Sequence, residues 1–205
     1  MKGSRAWLLL CALHGVASML LWWAHAPAVQ ALTWYAELWP AQPWTLWTSA
    51  WVHLNTPHLI GNQLALGALT AAGWVLRPPL AATLAWALSW PLLQLSLLWW
   101  PQVTHAVGLS GLLHAGVAVL GLHLLLGGAS PMARPWGALL IAGIAVKLLM
   151  ERGWQHPLQH DLGTELPVVQ AAHLSGALWG AVLAALLGAL AAWWSRRQAA
   201  GASRP

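Results

Sequence analysis

The segment that decides the fold runs from Val107 to Leu126 and reads VGLSGLLHAGVAVLGLHLLL. It contains no Asp, Glu, Lys or Arg, and its length is close to the roughly 20 apolar residues that a membrane-spanning helix needs. Its beginning nevertheless carries a hydroxyl and an imidazole, on Ser110 and His114. Because polar side chains in a membrane helix are costly, these two indicate a functional site.

The remainder of the chain has the same apolar character. Of its 205 residues 59% are hydrophobic and only 6% are charged, whereas about a quarter of the residues in an ordinary soluble protein are charged. This composition excludes a soluble domain and predicts an all-α polytopic membrane protein in contact with the lipid bilayer. The net charge of +5 does not indicate nucleic-acid binding, because the basic residues stand at the ends of apolar stretches.

Apolar stretches predict six transmembrane helices within a single domain of residues 1–205. We expect them at about residues 6–26, 58–76, 80–100, 109–126, 136–150 and 170–194. The first connection, residues 27–57, contains five tryptophans and two prolines between Trp34 and Trp51. It is too polar to span the membrane and too apolar to lie free in water, so we expect it to lie partly in the outer leaflet. Residues 195–205 are expected to form a cytoplasmic tail.

The basic residues indicate the orientation of these helices. If the six helices cross the membrane in alternating directions, seven of the nine Lys and Arg residues fall on one side of it. Arg152 falls on the other side, and Lys147 lies within the fifth helix near that end. By the positive-inside rule both termini are therefore cytoplasmic and residues 27–57 are periplasmic. A cleavable signal peptide ending near Ala26 is the less favoured interpretation, since the apolar run exceeds a usual signal sequence.

Three clusters of polar and small residues lie at the non-cytoplasmic ends of the second, fourth and sixth helices. They are His53, His58 and Asn62; Gly108, Ser110, Gly111 and His114; and His173, Gly176 and Gly180. Taken singly, such residues have ordinary explanations, since a serine commonly bonds back to its own helix and an asparagine joins two helices. Their common depth on three separate helices instead predicts one shared site.

The pairing of Ser110 with His173 would explain such a site. The two glycines of the sixth helix form a small-xxx-small stripe, which permits close approach of a neighbouring helix. A neutral imidazole can then take the hydroxyl proton and make the serine a nucleophile. His58 and Asn62 are expected to donate hydrogen bonds to the oxyanion of a tetrahedral intermediate. We therefore predict that Ser110 and His173 are catalytic.

Three other residues have less specific interpretations. Lys147 and Glu151 are four residues apart at the outer end of the fifth helix, where a structural ion pair is favoured over contact with a substrate. The histidines show no HExxH pattern or comparable ligand pair, so neither a metal nor a cofactor is expected. Cys11 is the single cysteine, which excludes a disulfide within one chain.

The clusters resemble the motifs of the rhomboid intramembrane serine proteases, over most of the chain from Trp44 to Gly180. Three motifs of the family match in order on alternate helices: the two histidines and asparagine at 53, 58 and 62, Gly-x-Ser-Gly at 108–111, and His-x-x-Gly-x-x-x-Gly at 173–180. The resemblance implies a six-transmembrane-helix, rhomboid-like bundle. It also implies a cavity that opens to the periplasm and a fifth helix that gates access for the substrate.

The resemblance further implies a role for each site residue. Ser110 and His173 are expected to form a catalytic dyad without a buried acid. His58, Asn62 and the backbone N–H of Ser110 are expected to bind the oxyanion. Two positions depart from the usual rhomboid pattern, because Thr45 follows Trp44 where arginine is usual, and His114 stands where tyrosine commonly stacks on the catalytic histidine.

The string from Gly108 to His114, followed by Lys147 and Glu151, resembles the rhombosortases, a compact rhomboid group of Gram-negative bacteria. This implies a place in the bacterial inner membrane and a substrate class of exported proteins that carry a C-terminal Gly-Gly motif, a transmembrane helix and a basic tail. Two rhomboid alternatives stay open, a generic rhomboid protease with other substrates and an inactive rhomboid-like protein that binds membrane helices. A small transporter is disfavoured because no inverted repeat is evident.

Overall fold

The computed structural model describes residues 2–126, 131–159 and 167–202, and this part of the chain is mostly helical. Its helices are α1 (Lys2–Leu21), α2 (Ala26–Leu32), α3 (Thr45–Thr48), α4 (Thr56–Leu76), α5 (Leu80–Ser96), α6 (Ser110–Leu125), α7 (Arg134–Glu151) and α8 (Gln170–Ala202). Short 3-10 turns lie at Ser49–Trp51, Leu97–Trp99 and Pro131–Ala133. Four two-residue strands form two antiparallel pairs, β1 (Trp34–Tyr35) with β2 (His105–Ala106), and β3 (Leu158–Gln159) with β4 (Val168–Val169).

Four of the described helices are long and apolar enough to cross a membrane. They comprise Gly3–Leu21, Thr56–Leu76, Leu80–Trp99 and Gln170–Ala200. The apolar α6 has only 16 residues, and α7 carries three charged residues within its 18. The prediction of an all-α membrane protein is therefore confirmed, with four helices that meet the requirements for a span where the sequence predicts six.

The first and last helices differ from the predicted boundaries. The first was predicted to reach residue 26 but ends at Leu21, because a turn follows and Pro27 opens the separate helix α2. The last was predicted to end at residue 194 but continues to Ala202. No proline interrupts it, so most of the predicted tail of residues 195–205 is helical. Residues 203–205 of that tail lie outside the described residues.

Tryptophan side chains join the long helices. The chain has 18 Trp and no Phe, and a buried indole N–H needs a hydrogen-bond acceptor. Trp7 of α1 donates to the carbonyl of Leu69 in α4 (3.2 Å), and Trp86 of α5 donates to the carbonyl of Leu112 in α6 (2.8 Å). Trp179 of α8 donates to a serine hydroxyl in α5 (2.6 Å). The core therefore combines apolar burial with directional contacts between helices.

Glycines allow α6 and α8 to approach closely. A Cβ built on Gly176 would overlap the carbonyl oxygen of Gly111, and one on Gly180 would lie 2.5 Å from the carbonyl oxygen of Ala115. Real Cβ atoms do not approach a carbonyl oxygen so closely, so glycine is required at both positions. This close packing places the beginning of α8 beside the beginning of α6.

The connection of residues 27–57 is folded against the same end of the bundle. Strand β1 pairs with β2, which lies just before α6. Trp44 donates its indole N–H to the carbonyl of Ala31 (2.9 Å), and Thr45 donates its hydroxyl to the carbonyl of Gln42 (2.7 Å). Trp44 and Thr45, where the rhomboid pattern usually has Trp-Arg, therefore stabilise this connection through hydrogen bonds within it.

Candidate active site

Ser110 is the first residue of α6, and the turn before it requires glycine. Gly108 has a φ of 101°, a conformation that side chains other than glycine rarely adopt. A Cβ on Gly108 would also overlap the imidazole of His58. The amide of Gly108 donates to the carbonyl of Ser49 (2.9 Å), which joins this turn to the connection of residues 27–57. Ser110 is therefore held at the start of its helix with its amide free of an intrahelical partner.

His173 lies in the first turn of α8 and faces Ser110. Its Nε2 atom is 2.9 Å from Oγ of Ser110, and the residue is only 5% exposed. The structure thus brings together the two side chains that the sequence predicts as a pair. A hydroxyl that donates to a neutral imidazole nitrogen is the arrangement required for general-base activation of a serine.

Glu151 contacts the other side of the same imidazole. Its Oε2 atom is 3.0 Å from Nδ1 of His173, and its Oε1 forms an ion pair with Lys147. The ion pair predicted from the sequence is therefore present. The sequence predicts a dyad without a buried acid, and the structure places a partly exposed carboxylate (14% exposed) against His173, because α7 ends beside the first turn of α8.

His114 stacks on His173. The ring centroids are 4.2 Å apart with an interplanar angle of 10°. Nδ1 of His114 lies 2.7 Å from the carbonyl oxygen of Ser110, one turn earlier in α6, and donates to it. This histidine therefore occupies the stacking position expected of tyrosine in the rhomboid pattern and limits rotation of the His173 ring.

His114, Glu151 and His173 also meet the distance requirement for three metal ligands, because their ligand atoms lie within 4.8 Å of one another. Stacked imidazoles direct their lone pairs in parallel planes, however, and not toward one point. Both nitrogens of His173 and Nδ1 of His114 already have hydrogen-bond partners. This geometry fits a hydrogen-bonded network better than the tetrahedral arrangement that zinc prefers.

His53 positions Asn62. The amide nitrogen of Asn62 donates to Nε2 of His53 (2.8 Å), while Nδ1 of His53 donates to the carbonyl of Trp51 (3.1 Å). Burial, together with the nearby imidazole of His58, lowers the pKa of His53 to about 4. His53 is therefore neutral at physiological pH, with the tautomer that allows it to accept from Asn62.

A cleft of about 280 Å³ lies beside the serine, lined by His58, Gly108 and Ser110 together with parts of β2 and β4. His58 is half-buried, and its ring centroid lies 5.1 Å from that of His53. The carbonyl oxygen of an acyl group on Ser110 would therefore lie near the imidazole of His58 and the first backbone amides of α6. These are suitable donors for an oxyanion.

Gln94 also lines this cleft, and sequence reasoning missed it. Its amide nitrogen donates to the hydroxyl of Ser49 (2.6 Å), while its buried Oε1 has no partner among the described residues. The carbonyl of Ser49 in turn accepts from Gly108. A glutamine within the apolar stretch of α5 was the signal that could have identified it.

Comparison with protein-family models and with curated proteins gives no match for this chain.

Proposed function

We propose that this protein is an intramembrane serine endopeptidase of the rhomboid type, with six transmembrane helices. The observation that carries the proposal is the 2.9 Å contact between Oγ of Ser110 and Nε2 of His173, made by two helices that glycines bring together. A hydroxyl and an imidazole are costly to place within a membrane protein, so their presence at the same depth favours a functional role.

The reaction follows from these positions. His173 takes the proton of Ser110 through Nε2 as Oγ attacks the carbonyl carbon of the scissile peptide bond. The electron pair of the carbonyl moves onto its oxygen, where the amide of Ser110 and the side chains of His58 and Asn62 stabilise it. The imidazolium then returns the proton to the leaving amine, and a water molecule hydrolyses the acyl-enzyme by the reverse sequence.

The proposed substrates are membrane-anchored exported proteins with a C-terminal Gly-Gly motif, a transmembrane helix and a basic tail. This follows the resemblance of the segment from Gly108 to His114 and of the Lys147–Glu151 pair to rhombosortases. The charge distribution supports a place in the bacterial inner membrane with both termini cytoplasmic. The cleft beside Ser110 would then open toward the periplasm, where the cleaved protein is released.

The proposal is tested by co-expression with a model substrate that carries the Gly-Gly motif, helix and basic tail. We expect the wild type to release the processed protein and Ser110→Ala and His173→Ala to lose at least about 10³-fold of the activity. Ser175→Ala is the matched control, because Ser175 lies on the same turn of α8 as His173 and its buried Oγ has no partner in the described structure.

The outcomes separate the alternatives. Release by the wild type and by Ser175→Ala, but by neither catalytic variant, supports the serine peptidase and its substrate class. Cleavage of a generic transmembrane substrate alone keeps the peptidase and rejects the rhombosortase substrate class. If the wild type cleaves neither substrate but still binds membrane helices, the inactive rhomboid-like protein is the better description. Undiminished release by Ser110→Ala would reject the proposed mechanism.

A further inference from the structure

The carboxylate at the end of α7 has both of its oxygens engaged within the candidate site. Glu151 is the last residue of α7. Its Oε1 faces Lys147 and its Oε2 faces Nδ1 of His173 at 3.0 Å. The second contact crosses from one helix to another, and an ion pair that served only to stabilise α7 would not require it.

We propose that Glu151 is the positioning residue of a Ser110–His173–Glu151 catalytic triad. This inference rests on the proposed peptidase function and adds an acid that the dyad interpretation lacks. The side chain of Glu151 contacts His173 and Lys147, and it acts on Ser110 through the imidazole of His173.

The first role of Glu151 is to select the tautomer of His173. A neutral imidazole carries one N–H, and an ionised carboxylate can only accept a hydrogen bond. The proton therefore resides on Nδ1, where it is donated to Glu151, and the lone pair of Nε2 is directed at the hydroxyl of Ser110. The opposite tautomer would place an N–H against Ser110 and could not take its proton.

The second role is electrostatic. When His173 takes the serine proton it becomes an imidazolium in a site with little water, and an adjacent negative charge stabilises that cation. The proton stays on His173 for delivery to the leaving amine and does not pass to Glu151. Of the described titratable groups that face His173, namely His58 of α4, His114 of α6 and Glu151 of α7, only Glu151 carries a negative charge.

Lys147 distinguishes this proposal from a purely structural ion pair. Its side chain is 51% exposed, and an exposed pair four residues apart on a helix adds only about 0.3–0.5 kcal/mol. If the pair merely stabilised α7, loss of either partner would have the same small effect. If Glu151 orients His173, its loss is far more damaging than the loss of Lys147.

The experiment compares Glu151→Ala, Glu151→Gln, Glu151→Asp and Lys147→Ala in the purified full-length protein. The first readout is the rate of labelling by a fluorophosphonate probe, in which Oγ of Ser110 attacks phosphorus and displaces fluoride. The second is kcat and KM for the model substrate. Thermal unfolding of each variant in detergent reports whether it still folds.

We expect Glu151→Ala to lower kcat and the labelling rate by about 10²–10⁴-fold, within the range that loss of a triad acid produces, with KM changed less than threefold. Glu151→Gln keeps the shape without the charge and should lose at least tenfold. Glu151→Asp should recover part of the rate, and Lys147→Ala should stay within about fivefold of the wild type.

Two results would overturn the triad while leaving the peptidase intact. One is equal loss in Glu151→Ala and Lys147→Ala, and the other is a Glu151→Gln variant that is folded and as reactive as the wild type. The proposed function is contradicted by a different result. If Ser110→Ala is labelled and cleaves the substrate as fast as the wild type, both the peptidase mechanism and the triad are rejected.

Discussion

At the scale of single residues, Ser110 differs from other serines of the bundle in what its hydroxyl contacts. Ser89 donates to the carbonyl of Trp86 (2.7 Å) and Ser96 to that of Leu92 (2.8 Å), the common arrangement of serine in a membrane helix. The hydroxyl of Ser110 instead faces an imidazole on another helix. Because Ser110 is the first residue of α6, no preceding helical turn offers a carbonyl for its hydroxyl. The hydroxyl can therefore donate its hydrogen bond to His173 of another helix.

His53 predicts a pH dependence of stability. Its pKa is about 4 in the folded protein against an ordinary value of 6.5, chiefly because burial disfavours the imidazolium. Well above pH 6.5 it is neutral in both the folded and unfolded chain. As the pH falls from 6.5 to 4, the unfolded chain takes up a proton that the folded chain does not, so up to roughly 3 kcal/mol of stability is lost.

This loss is measured as the free energy of unfolding in detergent at pH 7.5 and pH 4.5. His53→Asn removes the titrating group and keeps a side chain able to hydrogen-bond, so we expect a smaller loss in that variant. Equal losses in the wild type and in His53→Asn would show that other groups cause the pH dependence.

At the scale of secondary-structure elements, the contact of α6 with α8 decides whether the site exists. Gly176→Ala places a methyl group on the carbonyl oxygen of Gly111, so the two helices must separate. We expect a loss of about 1–3 kcal/mol of stability and more than a tenfold loss of activity, because separation lengthens the contact of Ser110 with His173. Unfolding in detergent and the labelling rate measure the two effects.

Gly188→Ala is the matched control for this prediction. Gly188 lies on the same helix, and a Cβ built there would meet nothing within 4 Å. Alanine favours a helix over glycine by about 1 kcal/mol, so this variant should be at least as stable as the wild type and fully active. If Gly176→Ala behaves in the same way as Gly188→Ala, the close packing of α6 and α8 is not required for the site.

At the scale of the whole molecule, the proposed six-helix topology places residues of the α7–α8 connection and of the C-terminal part of α8 on opposite sides of the membrane. His156 and Arg197 are both exposed and provide positions to test this. In a Cys11→Ser background, we expect a membrane-impermeant maleimide to label His156→Cys in cells with a permeabilised outer membrane. Arg197→Cys should react only after the inner membrane is lysed. Labelling of both, or the reverse pattern, would contradict the topology.

The candidate site is assembled from residues of several helices across the whole molecule. Ser110 comes from α6, His173 from α8 and Glu151 from α7, while Asn62 of α4 is held by His53 from the connection that precedes it. Each of these helices is apolar over most of its length and carries its site residue near the end that borders the site. A bundle that brings those ends to one level therefore collects the polar groups without exposing them to lipid.

The sequence by itself determined the membrane character of the chain, the approximate positions of its long helices and the pairing of Ser110 with His173. Hydropathy is a property of consecutive residues, so it can be read without knowledge of the fold. The pairing was predictable because glycines at 176 and 180 indicate close approach of a helix, and because polar residues at a common depth are rarely coincidental.

Only the tertiary structure decided the partners of the remaining polar groups. The sequence showed Glu151 as a partner of Lys147, four residues away, but its contact with His173 depends on the rotation and offset of α7 against α8. The stacking of His114 and the support of Asn62 by His53 depend on similar relations between elements. A local pattern specifies which face of a helix is polar, whereas the neighbour of that face follows from packing, which is set by side-chain volumes throughout the bundle.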